Sequence, residues 1–462
     1  MISKALLKEF TEILGKENIF IEESDLVAYS YDAAVLETVT PDIVLRPTSS
    51  ESLSKVIPLC NENGIPLTVR GSGTNLSGGT IPLPGGAVLL TNGLNNILEI
   101  NEQDLYARVQ PGVVTARLAA AVEAKGLFYP PDPASMAVST LGGNVAENSG
   151  GLRGLKYGVT RDYVMGLNFF DVNGHMVKAG GRTVKCVSGY NLTGLMVASE
   201  GTLGIFNEMI LKLIPYPAYR KSMMAIFDTM DAASETVAAI IANRIVPVTL
   251  EIMDNFTIRA VEAYSHIGLP LEAGALLLIE CDGYEGQVEE DTEKIGAVCR
   301  KLGATTIRVA KDATERDAIW AARRVAFSAL AKLRPTLVLE DATVPRSKVP
   351  AMIKALEEIS SRFNLSIGTF GHAGDGNLHP TILTDRRDEK EWANVEAAIE
   401  EIFDKALALG GTLSGEHGIG IAKSRFFEKE TGEATILYSR RIKAALDPNN
   451  ILNPGKIIGF TR

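Results

Sequence analysis

Three features of the sequence predict an α+β fold with two principal domains. Short apolar runs alternate with glycine turns over residues 42–110, a region from about 218 to 435 alternates strand-like and helical segments, and Pro215, Tyr216 and Pro217 punctuate the change between them. The chain has 462 residues, 46% hydrophobic and 22% charged, so it can bury a large core and lacks the composition of a disordered protein. At roughly 150 residues per domain, that length predicts two or three domains.

The elements follow in order. MISKALLKEFTEILGKE reads as an amphipathic helix carrying both charge signs, without the apolar stretch and small-residue cleavage site of a signal peptide. No apolar run approaches the roughly 18–20 residues needed to cross a bilayer, so a cytoplasmic protein that does not span a membrane is expected. DIVLRP, the helical SLSKVIPLCNENG, PLTVRGSGTNLSGG, AVLLTN and LYARVQPG then build a compact α+β region, and TARLAAAVEAKG forms a helix before the glycine-rich TLGGNVAENSGGLRG. In VMGLNFFDVNGHMVKAG, Asn173-Gly174 between apolar runs predicts a β-hairpin. From about 218, the pattern is that of a sheet with helices on one face. The expected boundaries are a helical segment at 1–40, a ligand domain at 41–217, a second domain at 218–435 and a C-terminal segment at 436–462 that returns to the first domain.

A formal charge of −10, from 46 basic and 56 acidic residues, repels phosphate backbones and anionic lipid, which argues against nucleic acid as a partner. Cys60, Cys186, Cys281 and Cys299 lie far apart, with no paired-thiol motif for zinc or an iron–sulfur cluster, and are expected to be reduced core residues.

Chemistry concentrates in glycine-rich stretches. Arg70-Gly71-Ser72-Gly73-Thr74-Asn75-Leu76-Ser77-Gly78-Gly79 follows a strand and offers successive N–H groups as a nest for phosphate oxygens. It fits neither the Rossmann nor the Walker pattern. With Gly142-Gly143-Asn144 through Ser149-Gly150-Gly151 and Ser199-Glu200-Gly201-Thr202-Leu203-Gly204, it points to a long ligand such as a dinucleotide. The five histidines divide. His175 and His266 read as buried structural residues, whereas His372, His379 and His417 sit in polar glycine-rich loops. Two imidazoles with Glu416 make a plausible site for a divalent ion, and His417 a plausible proton acceptor. Arg323, on an apparent helix, reads either as a surface residue or as a fork for a substrate carboxylate.

RGSGTNLSGG, the PPDPAS to TLGGNVAENSGG block, ASEGTLGI, GHAGDGNLH, GEHGIG and LNPGKI, in this order along nearly the whole chain, resemble the FAD-linked D-2-hydroxyacid dehydrogenases. That family includes glycolate oxidase catalytic subunits, FAD-dependent D-lactate dehydrogenases and D-2-hydroxyglutarate dehydrogenase, and belongs to the vanillyl-alcohol-oxidase type of flavoprotein. The resemblance implies an FAD-binding domain of two subdomains and an α+β cap domain that forms the substrate pocket. It implies that Arg70, Gly71, Ser72, Gly73, Thr74, Asn75, Gly78 and Gly79 hold the pyrophosphate. Pro131, Asp132, Ser135, Gly142, Gly143, Asn144, Ser149, Gly150, Gly201 and Ile205 would complete the cofactor contacts. Thr74 and Asn75 occupy the region where covalent members often place a histidine, which implies non-covalent FAD.

The resemblance further implies that His372, His379 and Glu416 hold one divalent ion (Fe²⁺, Zn²⁺ or Mn²⁺), that His417 is the base, that Arg323 anchors the substrate carboxylate, and that Asn377 supports the site or touches substrate. The implied activity is oxidation of a small D-2-hydroxy acid, with D-lactate first and glycolate or D-2-hydroxyglutarate as alternatives. Electrons would pass to an electron-transferring flavoprotein or another acceptor subunit, as in the lactate dehydrogenase subunit of such a complex, which this compact chain most resembles. A flavin relay subunit without catalysis has no need of the histidine and glutamate set, and a zinc hydrolase leaves the glycine loops unexplained.

Overall fold

Ser3 caps the first helix, Lys4–Leu14, by accepting from Leu6 N–H at 3.2 Å, and Leu6, Phe10 and Leu14 form its buried stripe. The computed structural model describes residues 2–459, so the outermost ends of the expected 1–40 and 436–462 segments lie outside the described residues. The chain forms two units, one holding the residues up to Ser149, Val159–Tyr216 and Glu416 onward, the other Gly150–Gly158 and Pro217–Gly415.

The first unit contains a four-stranded sheet in the order Ile19–Phe20, Ile43–Leu45, Ala87–Leu90, Leu67–Arg70, whose last three strands are parallel. Every residue of Ile43–Leu45 and Ala87–Leu90 is buried, as continuous apolar runs in parallel strands require. Helix Ser50–Glu62, started by a capping box between Ser49 and Ser52, packs Leu53, Val56, Ile57 and Cys60 into the same core as the first helix. A separate antiparallel sheet runs Ile97–Asn101, Tyr106–Val109, Ile205–Lys212, Val164–Phe170, Met176–Gly180. Its last two strands are the expected hairpin, turning through Gly174 at φ 77°.

Residues 416–435, read from the sequence as part of the second domain, pack within the first unit. Ile419 and Gly420 N–H donate to Glu200 at 2.8 Å each, and Ile421 and Ala422 N–H donate to the Ser77 carbonyl. Farther along, Lys443 Nζ donates to the carbonyls of Thr202 and Leu452 and to Asp447, which fixes the C-terminal segment against the strand Leu67–Arg70.

The second unit is built on an eight-stranded antiparallel sheet, with main order Ala304–Val309, Tyr219–Phe227, Ala275–Gly283, Thr249–Asp254, Ser366–His372, Asn377–Thr384, Thr336–Leu339. Its helices cover both faces rather than the single face expected. Met224, Ile226, Leu276 and Leu278 pack with helices Asn255–Ser265 and Ala313–Ala331, while the alternate residues Met223, Ala225, Leu277 and Ile279 are buried as well. Helices Met230–Ala242 and Glu285–Lys301 also contact these strands. Residues Gly150–Gly158 join this unit through Lys156 Nζ and Tyr157 OH, which donate to Asp282 at 2.5 Å and 2.8 Å.

Candidate functional site: a glycine-lined cleft and a buried imidazole cluster

In the first unit, the three glycine-rich stretches converge on one cleft. Gly71, Ser72, Gly73, Thr74, Asn75, Gly79, Ser135, Gly142, Gly143, Asn144, Ser149, Gly201 and Ile205 line it as expected. The N–H groups of Ser72 through Leu76 have no hydrogen-bond acceptor among the described residues, so the loop presents a run of unused donors, the chemistry a pyrophosphate needs. Helix Leu141–Glu147 begins at the cleft, but its first N–H groups are already taken. Leu141 donates to the Val113 carbonyl, Gly142 to the Pro111 carbonyl and Gly143 to Thr140 Oγ1.

Other expected cofactor residues stand outside the cleft lining. Arg70 turns behind the loop, where Nη1 donates to the Tyr31 carbonyl at 2.6 Å and lies 3.3 Å from Thr80 Oγ1. Asp32, missed in the sequence, accepts from Asn75 Nδ2 at 2.6 Å and from Ala34 N–H at 3.0 Å, so Arg70 and Asp32 shape the loop rather than line the cleft. Burial raises the Asp32 carboxyl against these hydrogen bonds. Gly78 packs toward Leu36 and Ile421, Pro131 and Asp132 are buried just before the lining residues Pro133–Ser135, and Gly150 belongs to the second unit.

Glu147 and Glu200 are two further lining residues that sequence reasoning did not single out. Glu147 Oε2 is buried without a hydrogen-bond partner among the described residues, and burial followed by the Glu200 charge pushes this carboxyl well above the usual range. Burial also pushes Glu200 up to about 7, against the two backbone donors it accepts. Glu416 and His417 line the same cleft, with Glu416 Oε1 3.9 Å from His417 Nε2.

The second unit holds the other imidazoles. His372 and His379 do not lie in a loop. They sit on paired antiparallel strands joined by the tight turn 373–376, with His372 opposite Asn377 and Phe370 opposite His379. Cross-strand partners point to one face, so His372, Asn377, His379 and Phe370 share it. The neighbouring strand Thr249–Asp254 pairs Ile252 with Gly371, which places Glu251 one step on, beside His372. Helix Ala313–Ala331 covers this face and buries Trp320, Ala322, Arg323 and Ala326.

The result is a buried polar cluster. His372 and His379 ring centroids are 5.0 Å apart and perpendicular, and their ligand nitrogens lie within 4.8 Å of one another. Glu251, 1% exposed, lies 2.6 Å from His372 Nδ1 through Oε1 and accepts from Arg323 Nε at 2.5 Å through Oε2. Burial alone would raise the Glu251 carboxyl, but the charges of and hydrogen bonds from His372 and Arg323 outweigh it and hold it at about 2. Arg323 stacks over Phe370 with its guanidinium carbon 4.7 Å from the ring centroid, and its Nη1 and Nη2 have no acceptor among the described residues. Asn377 Oδ1 accepts from Thr343 Oγ1 at 3.0 Å, which turns its amide nitrogen to the other side. Asp341, also missed, is buried with its carboxylate within 4.8 Å of the His379 ligand atom and accepts from Ser414 Oγ at 2.7 Å. Glu251 had a sequence signal, an acid set between Leu250 and Ile252 in the apolar strand of VPVTLEIMD, where a buried charge requires partners; Asp341 had none.

The remaining histidines correct the expectation. His175 is exposed, 3.2 Å from Asp171 in the hairpin turn, and His266 is exposed at the left-handed end of a helix, φ 52°. Cys60, Cys281 and Cys299 are buried, but Cys186 is exposed.

Comparison with known proteins was consistent across the chain. A family model described as "FAD binding domain" matches residues 41–180, and one described as "FAD linked oxidases, C-terminal domain" matches residues 216–457. The glycolate oxidase subunit GlcD of Bacillus subtilis is 51% identical, over 99% of this chain and 97% of the relative. GlcD of Escherichia coli K12 is 37% identical over 96% and 89%, and a D-lactate dehydrogenase of Anaerostipes hadrus 33% over 99% and 98%. Among solved structures, p-cresol methylhydroxylase matches with a TM-score of 0.80 at 19% identity over 99% of this chain and 98% of that one. An alkyldihydroxyacetonephosphate synthase matches with a TM-score of 0.77 at 18% identity over 98% and 86%. The fold is that of the vanillyl-alcohol-oxidase type, and no helix of the described residues is long and apolar enough to cross a membrane.

Proposed function

We propose, from the premise that this chain belongs to the FAD-linked oxidase family and is an FAD-dependent hydroxyacid dehydrogenase, that its substrate is a small 2-hydroxy monocarboxylate. Glycolate ranks ahead of the D-lactate favoured by the sequence, because the relative at 51% identity is named a glycolate oxidase subunit; D-lactate follows from the relative named for it at 33%. The observation that carries this reading is the buried cluster of Arg323, Glu251, His372 and His379, which offers carboxylate recognition beside paired imidazole ligands.

Bound flavin supplies the two-electron acceptor, and a bound divalent cation supplies polarisation of the α-hydroxyl. Arg323 presents its free Nη edge to the substrate carboxylate while Glu251 holds its Nε. His372 and His379 would hold the cation, with Glu416 as the carboxylate that the family motif implies, a donor set suited to Fe²⁺, Zn²⁺ or Mn²⁺. His417 takes the α-hydroxyl proton on a ring nitrogen as Cα–H leaves with its electron pair, and Asn377 directs its amide toward the substrate oxygens. The 2-hydroxy acid leaves as the 2-keto acid, its hydroxyl proton on His417, and a flavin held in the glycine-lined cleft would be the sink for the two electrons that leave with Cα–H.

Those electrons go to a separate acceptor chain, an electron-transferring flavoprotein or another redox subunit. Support for this comes from the dispersed cysteines, three of them buried, and from relatives named as subunits. The direct test replaces His417 by glutamine and follows anaerobic flavin reduction by glycolate. Reduction slowed by at least tenfold with full flavin content is expected; an unchanged rate would remove His417 from the reaction.

A further inference from the structure

We infer that Glu251 is a positioning residue that fixes both halves of substrate recognition, by dictating which nitrogen of His372 carries the lone pair for a metal ion and which edge of Arg323 faces a carboxylate. This rests on the metal-assisted reading above. Both oxygens of Glu251 are committed, Oε1 to His372 Nδ1 at 2.6 Å and Oε2 to Arg323 Nε at 2.5 Å, in a carboxylate that is 1% exposed.

The chemistry of the three groups leaves little freedom. An ionised carboxylate only accepts, so the His372 tautomer that Glu251 selects carries its proton on Nδ1 and its lone pair on Nε2. A carboxylate behind a ligating imidazole both orients the ring and strengthens it as a ligand. The guanidinium only donates, so holding it by Nε aims Nη1 and Nη2 away from Glu251. The β-sheet register sets the pairing, since Glu251 stands beside His372 on the adjacent strand, and the covering helix delivers Arg323 to the same carboxylate. One side chain therefore spans the distance between the cation site and the carboxylate anchor.

Glu251→Gln separates these roles with almost no change of shape. A carboxamide has one accepting oxygen and one donating nitrogen. If its oxygen stays with Arg323, its amide faces His372 Nδ1, which must then accept, and the ring proton moves to Nε2, where it blocks the ligand position. If its oxygen goes to His372, its amide opposes the Arg323 N–H and displaces the guanidinium. No orientation of glutamine satisfies both, so one function fails in each.

The experiment uses chelator-stripped, flavin-loaded protein titrated with Zn²⁺ in competition with a chromophoric chelator, and steady-state kinetics with glycolate at limiting and saturating Zn²⁺. Wild type should bind one Zn²⁺. Glu251→Gln should keep its flavin and bind Zn²⁺ about 10–100-fold more weakly, with turnover restored by excess Zn²⁺, or else keep its Zn²⁺ affinity and show KM raised at least tenfold. A flavin-loaded variant with wild-type Zn²⁺ affinity and wild-type KM would overturn the inference. Should the variant not fold, ¹⁵N-histidine spectra of Zn²⁺-loaded wild type, with His372→Gln as the assignment control, decide the matter. Metal on Nε2 and a proton on Nδ1 support the inference, and metal on Nδ1 overturns it. Failure of wild type to bind Zn²⁺ would instead remove the metal reading, leaving the KM comparison to decide the role of Glu251 at Arg323.

Discussion

Replacing Arg323 by glutamine should cripple substrate capture while leaving the flavin in place. Glu251 already occupies Nε, so a substrate carboxylate meets the two Nη groups that have no acceptor among the described residues. Two hydrogen bonds between charged groups contribute about 1.5–3 kcal/mol each, so losing both costs about 3–6 kcal/mol. That corresponds to a fall of roughly 10²–10⁴-fold in kcat/KM. Glutamine at 323 can still donate to Glu251 and keep the buried carboxylate partnered, and the cofactor cleft is built from residues of the other unit. The assay is anaerobic stopped-flow reduction of the flavin across a glycolate series, repeated with methyl glycolate. The neutral ester has no carboxylate for Arg323 to hold, so its slow reaction should be nearly the same in both proteins. A variant with full flavin content and an apparent glycolate Kd within threefold of wild type would refute the reasoning.

Other expectations follow from the same geometry. A Cβ on Gly142 would fall 2.6 Å from Pro111 Cβ and 2.9 Å from the Pro111 carbonyl, so Gly142→Ala should cost about 1–3 kcal/mol of overpacking and lower the flavin-to-protein absorbance ratio; an unchanged ratio would contradict it. Lys443→Met leaves the buried Asp447 carboxylate without its cation and held only by the Ile451 and Leu452 N–H groups, a loss of about 3–5 kcal/mol that should lower Tm by about 6–20 °C in calorimetry; a shift under 2 °C would argue against the clamp. The raised carboxyls of Glu147 and Glu200 bind protons in the folded state that the unfolded chain releases, so their ionisation removes stability as pH rises from the ordinary carboxylate range through about 7. Glu147→Gln removes one of these charges, so its Tm should gain on wild type from pH 5 to pH 8; a gap that shrinks with pH would reverse the assignment.

Much of the glycine-lined cleft was legible because its signal is local. Mostly small or polar residues directly after a strand leave backbone N–H groups open, and Ser72 through Leu76 show that pattern, as Asn173-Gly174 does for the hairpin. Arg70 misled because its place in the motif does not reveal where its side chain turns. The histidine pair was visible through its glycine-rich setting, but the setting disguised two strands around a four-residue turn. Glu251 and Asp341 escaped attention because their partners are far along the chain, 121 residues away in the case of Glu251 and His372. The packing of 416–435 and of 150–158 is hidden for the same reason, since sequential neighbours give no sign that Glu200 receives Ile419 and Gly420, or that Asp282 receives Lys156. His266 shows the reverse error, because its left-handed helix-end conformation follows from local geometry rather than burial.

An anaerobic visible spectrum of the purified protein, recorded during titration with glycolate, D-lactate and L-lactate, tests the central claim most directly. Bleaching of a flavin band by glycolate and D-lactate, with L-lactate inert, is the predicted result. A flavin band that persists in metal-replete protein through all three titrations would contradict the proposed oxidation of a small 2-hydroxy acid.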